Sequence, residues 1–149
     1  MSTQKQFGTE ERRHQTHKMV RELLQERQQV WSLYCSVASL KPFSAEQAIK
    51  PMLRKFCQLL VDYISLGHFG IYQRITNGLE RRDKVLQKAG DIYPRIAETT
   101  DSAIRFNDKY EKLSGDTLRT SLSHDLSLLG EQLATRIELE DQLIETLVT

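Results

Sequence analysis

The chain has 149 residues, 21 Lys+Arg against 20 Asp+Glu and a formal net charge of +1 at pH 7. That length fits one domain with a real core, and near-neutrality argues against a dedicated nucleic-acid binder, whose phosphate contacts require a basic excess. With 28% charged residues, no stretch approaches the ~18 uninterrupted apolar residues of a membrane span. Seven Gly and three Pro are too few for a turn-rich all-β chain, so the composition is that of an all-α protein. The opening MSTQKQFGTEERRHQTHK lacks the apolar centre of a secretory signal. Cys35 and Cys57 are therefore expected to stay reduced in a cytoplasmic protein.

Residues 1–9 offer nothing to bury and are expected to fray, leaving 10–149 as a single helical-bundle domain. A first long helix runs from about Glu10 to Ser39, with one face at Val20, Leu23, Leu24, Arg27, Trp31, Tyr34 and Ala38. Lys41-Pro42 ends it, because the residue before proline avoids the α region. Ser44 with Gln47 has capping-box spacing for the second helix. Its stripe is Met52, Leu53, Phe56, Leu60, Tyr63 and Ile64, and its polar face Arg54, Gln58, Asp62 and Ser65. Gly67 suits a helix-ending C′ position, and a short helix over 68–76 follows. The third region, Leu79 to Leu113, carries Val85, Ala89, Ile92, Ile96, Ala103, Phe106 and Tyr110, with Gly90-Asp91 and Pro94 predicting a break near Asp91. Asp116 caps a last helix, 117–148, with Leu118, Leu122, Leu126, Leu129, Leu133, Ile137, Glu140, Leu143 and Leu147 on its face. Long outer helices and broken middle ones predict an antiparallel bundle.

Charge is segregated. Residues 116–149 carry seven acidic and two basic side chains, leaving 13 acidic and 19 basic in 1–115. An acidic last helix, densest at Glu138, Glu140, Asp141 and Glu145, suits a basic partner; the plainer alternative is a solvated face. Catalysis finds no support. The single Glu-x-x-His spacing, Glu11 to His14, has no second copy to complete a di-metal site. The cysteines adjoin Tyr34 and Phe56, where small buried cysteines are common. His68 lacks the Lys and Gly that follow a phosphorelay histidine. There is no phosphate-cradling Gly loop and no zinc spacing, so neither a cofactor nor a metal is expected.

The informative stretch is FCQLLVDYISLGHFGIYQRI, 56–75. Core periodicity explains Phe56, Leu60, Tyr63 and Ile64. It does not explain Asp62, Ser65 and His68 around a helix break, or the added aromatics Phe69 and Tyr72. Two accounts stay open: a hydrogen-bond network fixing the corner, or a polar-aromatic patch for a partner's side chains.

This stretch, with LGEQLATRIELEDQLIETL at 129–147, LKP at 40–42 and IYPRIAETT at 92–100, resembles the Rsd/AlgQ family of bacterial anti-sigma factors over nearly the whole chain. The first helix reads VRELLQER at 20–27 where that family carries an Asp-Arg-Trp-Leu run; Leu24 and Arg27 fit the pattern. The resemblance implies an all-α bundle that binds the C-terminal helix-turn-helix region of the primary sigma factor, the part that recognises the −35 element, with no direct nucleic acid or membrane partner. A monomer or weak homodimer is expected. Asp62, Ser65, His68, Phe69, Tyr72 and Arg27 are the candidate contacts, with Glu140 and Asp141 as electrostatic support. The runners-up are a DNA-binding regulator, although the most basic stretch, 74–95, holds only six Lys/Arg against three acids, and a metabolic regulator working through another protein.

Overall fold

The computed structural model describes residues 2–40, 43, 46–78, 80–111 and 116–148, without the side chains of 2–9, 46–48, 69, 76 and 116–119. Helix α1 spans Ser2–Ala38 and α2 spans Glu46–Leu66; a π-helical segment, Gly67–Tyr72, leads into the single turn α3, Gln73–Thr76; α4 is Asp83–Glu111 and α5 Asp116–Val148. No strand occurs among the described residues. Contacts run α1 to α2, α2 to α4, α4 to α5 and α5 back to α1, closing an up-down-up-down ring. Cross-contacts fix the antiparallel sense: Tyr34 donates to the Leu126 carbonyl, and Arg27 meets Asp141.

Each helix turns a seam inward with alternating steps of three and four, the spacing of coiled-coil packing. In α2 it is Ile49, Leu53, Phe56, Leu60 and Tyr63; in α4, Val85, Ala89, Ile92, Ile96, Thr99, Ala103, Phe106 and Tyr110; in α5, Leu122, Leu126, Leu129, Leu133, Arg136, Glu140, Leu143 and Leu147. The α1 seam is Thr16, Val20, Leu23, Arg27, Val30, Tyr34 and Val37, with Arg27 and Tyr34 half-buried. Trp31, expected on that face, is 38% exposed and instead stacks on Tyr34, centroids 5.2 Å apart. In α5, Arg136 takes the seam position expected for Ile137, which is half-buried.

Three local expectations change. The first helix already runs from Ser2 in its backbone. Gly67 does not end α2. The helix loosens there to the wider i→i+5 bonding of a π-segment, with the Gln73 N–H reaching the His68 carbonyl. Third, α4 is continuous through Gly90 and Pro94. Both residues are on its solvent side, so the bond that Pro94 removes frees a carbonyl toward water rather than inside the core. The chain reverses after α3 at Gly78, whose φ of 75° suits glycine. Lys41-Pro42, Ser44 with Gln47, and the Asp116 side chain lie outside the described residues. Between α1 and α2, Phe43 adopts φ 61° with its ring 1% exposed; core burial holds a conformation that costs an L-residue ~1–2 kcal/mol.

Candidate functional site

A polar layer interrupts the apolar seams where α2 becomes the π-segment. Arg136 and Glu140 occupy successive seam positions of α5, each with a side chain 1% exposed, and pair at 3.2 Å, Nε to Oε2. Arg136 Nη1 also donates to Thr100 Oγ1 at 2.8 Å and Thr99 Oγ1 at 3.1 Å. Its guanidinium carbon lies 5.4 Å from the Tyr63 ring centroid. The Tyr63 hydroxyl donates to Glu140 Oε1. From α1, Arg27 Nη1 donates to Asp141 Oδ1 at 2.8 Å and stands 3.6 Å from Glu140 Oε1. Burial pushes the Glu140 carboxyl above the usual range, against the pull of Arg136, the Tyr63 hydroxyl and Arg27. Tyr63 is likewise pushed up, chiefly by burial and by the Glu140 charge.

The π-segment makes this layer possible. A Cβ at Gly67 would lie 3.4 Å from Arg136 Nη2 and 3.7 Å from Leu23 Cδ1. A side chain there would fill the space the guanidinium uses. That packing requirement, not chain termination, accounts for glycine at this position. Beyond it, Tyr72 packs edge-on to Tyr93 at 6.1 Å.

The predicted residues therefore fall into two groups. Arg27, Glu140 and Asp141 come together, with Arg27 bridging two carboxylates of α5. Asp62 and His68 are exposed and Ser65 half-exposed along the outer side of α2 and its π-extension. The Phe69 side chain lies outside the described residues. Two expectations are corrected: Glu140, 1% exposed, and Tyr72, 4% exposed, belong to the interior and have no free surface to offer a partner. Glu140 is drawn inside by its seam register and by three donors that satisfy it. Cys35 is exposed rather than buried beside Tyr34.

Sequence reasoning missed Arg136, Thr99 and Thr100, and two carboxylates of α1. Glu22 and Glu26 stand one turn apart on α1, near Asp62 across the groove from α2. Partial burial and the Asp62 and Glu22 charges hold the Glu26 carboxyl above its ordinary range. Val61, beside Asp62, is 39% exposed. This face presents like charges close together, an arrangement that costs the free protein energy and that a cation relieves. Among the described residues, no group of three or more His, Cys, Asp or Glu is placed to hold a metal, and no helix is long and apolar enough to cross a membrane.

Curated relatives fit this arrangement of helices along most of their length. A protein of Yersinia enterocolitica named "Regulator of sigma D" is 32% identical over 134 residues, covering 87% of this chain and 80% of its own. One of the same name from Shigella dysenteriae is 34% identical over 139 residues, covering 87% and 83%. No solved structure matches. The family described as "Regulator of RNA polymerase sigma(70) subunit, Rsd/AlgQ" matches residues 2–148. With that span and those identities, the chain belongs to the Rsd/AlgQ family.

Proposed function

We propose that this chain is an anti-sigma factor whose α1–α2 face, built on Glu22, Glu26 and Asp62, binds the C-terminal, −35-recognising region of the primary sigma factor. The observation that carries the proposal is the set of three close carboxylates on an exposed face with Val61 beside them. A region that meets DNA phosphates is basic. Its cations relieve the mutual repulsion of these acids, and the apolar part of Val61 adds contact that water loses. Ser65 and His68 continue the same face toward the π-segment. Arg27 and Asp141 act at its edge: their ion pair ties α1 to α5 and fixes the spacing of the α1 carboxylates. Occupying the DNA-recognising region keeps it from the promoter, so the effect on transcription follows from competition and needs no catalysis. The relatives' name, "Regulator of sigma D", supports a sigma factor as the partner. The proposed site of action is the cytoplasm, where RNA polymerase works.

The test is a titration of the purified chain with full-length primary sigma factor and with its C-terminal region, alongside a gel shift on random-sequence DNA. Saturable binding to both sigma preparations with no shift of DNA is expected. Binding to DNA without binding to sigma would overturn the proposal in favour of a DNA-binding regulator.

A further inference from the structure

At the end of the bundle opposite the α1–α2 turn, five arginines meet around one cavity of 160 Å³. Arg12 and Arg13 come from α1, Arg74 from α3, and Arg81 and Arg82 from the segment leading into α4. At ~30 Å³ per water, the volume equals about five waters. That suits one or two phosphate groups and is too small for a nucleotide base and sugar as well.

Glu80, the only acid at the cavity among the described residues, is already committed. Its carboxylate accepts from Arg82 Nε at 3.0 Å and from the Arg82 backbone N–H at 3.1 Å. Those bonds hold it below the ordinary carboxylate range, even against the burial that would raise it. Arg82 in turn donates Nη1 to the Leu147 carbonyl at the end of α5, at 3.0 Å. Arg82 and Glu80 therefore form a fixed wall, and four guanidinium groups are left to share the space. Of these, Arg74 is the one set into the protein. Its Nη1 has only the weak acceptor Met19 Sδ, at 3.8 Å, and its Nε is buried with no hydrogen-bond partner, alone in this among the described side chains. A buried guanidinium N–H without an acceptor costs ~1–3 kcal/mol or more. Guanidinium forks also match phosphate oxygens two at a time.

We propose that this arginine-lined cavity binds a small phosphate-bearing anion, a diphosphate group being the best fit, with Arg74 at its floor and Arg12, Arg13 and Arg81 closing over it. The site is separate from the acidic face and does not rest on the function proposed for that face. Arg74 follows the π-segment by two residues, so an anion held there also ties α3 to α1.

The experiment is calorimetric titration of the full chain with inorganic pyrophosphate, at fixed ionic strength, with sulfate as the control anion. Saturable 1:1 binding is expected, at least tenfold tighter than sulfate. Arg74→Gln and the surface double variant Arg12→Ser/Arg13→Ser are each expected to weaken it at least tenfold. Arg54→Ser, at an exposed position on α2, should leave it unchanged. The double variant removes only exposed side chains, so it tests the site even if Arg74→Gln folds poorly. No saturable binding, pyrophosphate no tighter than sulfate, or equal affinity in the double variant would each overturn the proposal. So would displacement of pyrophosphate by random-sequence duplex DNA or polyglutamate at lower concentrations than pyrophosphate itself needs, since the site would then be made for a macromolecule.

Discussion

Replacing Glu140 with Ala should be the most damaging conservative-sized change in the chain. Glu140 accepts from the Tyr63 hydroxyl and from Arg136 Nε, and lies 3.6 Å from Arg27 Nη1. Removing it leaves Arg136, 1% exposed, as a buried cation held only by Thr99, Thr100 and the Ile96 carbonyl. Breaking one side of a buried ion pair costs ~3–5 kcal/mol, and the orphaned Tyr63 hydroxyl adds a share of the ~1–3 kcal/mol of an unsatisfied group. The two losses overlap, because both arise from one carboxylate, so ~3–5 kcal/mol is the expected total. At ~2–4 °C per kcal/mol for a chain of this size, the melting temperature should fall by roughly 6–20 °C. Thermal and urea melts followed by circular dichroism measure it. The double change Arg136→Met/Glu140→Leu removes both charges and replaces them with apolar volume. It should recover more than half the loss, since a buried pair is often no better than well-packed hydrophobics. A Glu140→Ala variant within ~1 kcal/mol of the parent would refute the reasoning, and so would a double variant worse than the single one.

Glu26→Gln should stabilise the free protein by ~0.2–0.5 kcal/mol at neutral pH, the scale of a like-charge i, i+4 pair, while weakening sigma binding. The folded carboxyl of Glu26 is held high, so its contribution to stability is lost as pH rises from the ordinary glutamate value through the folded one. Melts across that range should therefore show the variant's advantage absent in acid and complete at neutral pH. Thiol titration under native conditions should modify one cysteine quickly and one slowly: Cys35 is exposed, whereas Cys57 is buried with its thiol pushed up to about 12. Gly130→Ala should cost ~1–3 kcal/mol by overpacking. A Cβ there would sit 2.1 Å from the Tyr34 hydroxyl oxygen, which is bonded to the Leu126 carbonyl while its ring stacks on Trp31. Tyr34→Leu in the same chain should recover part of that loss in urea melts.

The apolar seams were legible because Leu, Phe and Ile recur at three and four along α2, α4 and α5. The misassignments in α1 have a common cause. Val30 and Val37 were passed over for the larger Trp31 and Ala38's neighbourhood, although only the valines keep the alternating step that reaches from Thr16 to Val37. In α5 the same step leads to Arg136, but hydropathy ranks Ile137 above it. A charged residue on a seam reads as surface until its partners, here Glu140, Thr99, Thr100 and Tyr63, are known, and those come from other helices. Local rules also misjudged Gly67 and Pro94. Glycine after an apolar run signals a helix end, yet the cause at Gly67 is the Arg136 guanidinium 69 residues later in the chain. Proline signals a break, yet Pro94 faces water and α4 bears it. The Asp62, Ser65 and His68 side of the candidate site was read from helical spacing alone. Glu22 and Glu26 were not, because nothing in the order of residues shows that α1 lies against α2 there.

The most direct test of the acidic face is the affinity of Asp62→Ala for the C-terminal region of the primary sigma factor, with its melting temperature measured in parallel. Asp62 is exposed and lies outside the buried polar layer, so its removal should leave the fold intact. The account predicts a loss of ~2–5 kcal/mol in binding, the cost of truncating one partner of a desolvated charge pair, at an unchanged melting temperature. Affinity within ~0.5 kcal/mol of the parent, the range of a solvated surface charge, would contradict it, as would a binding loss accompanied by a collapse of the melting temperature.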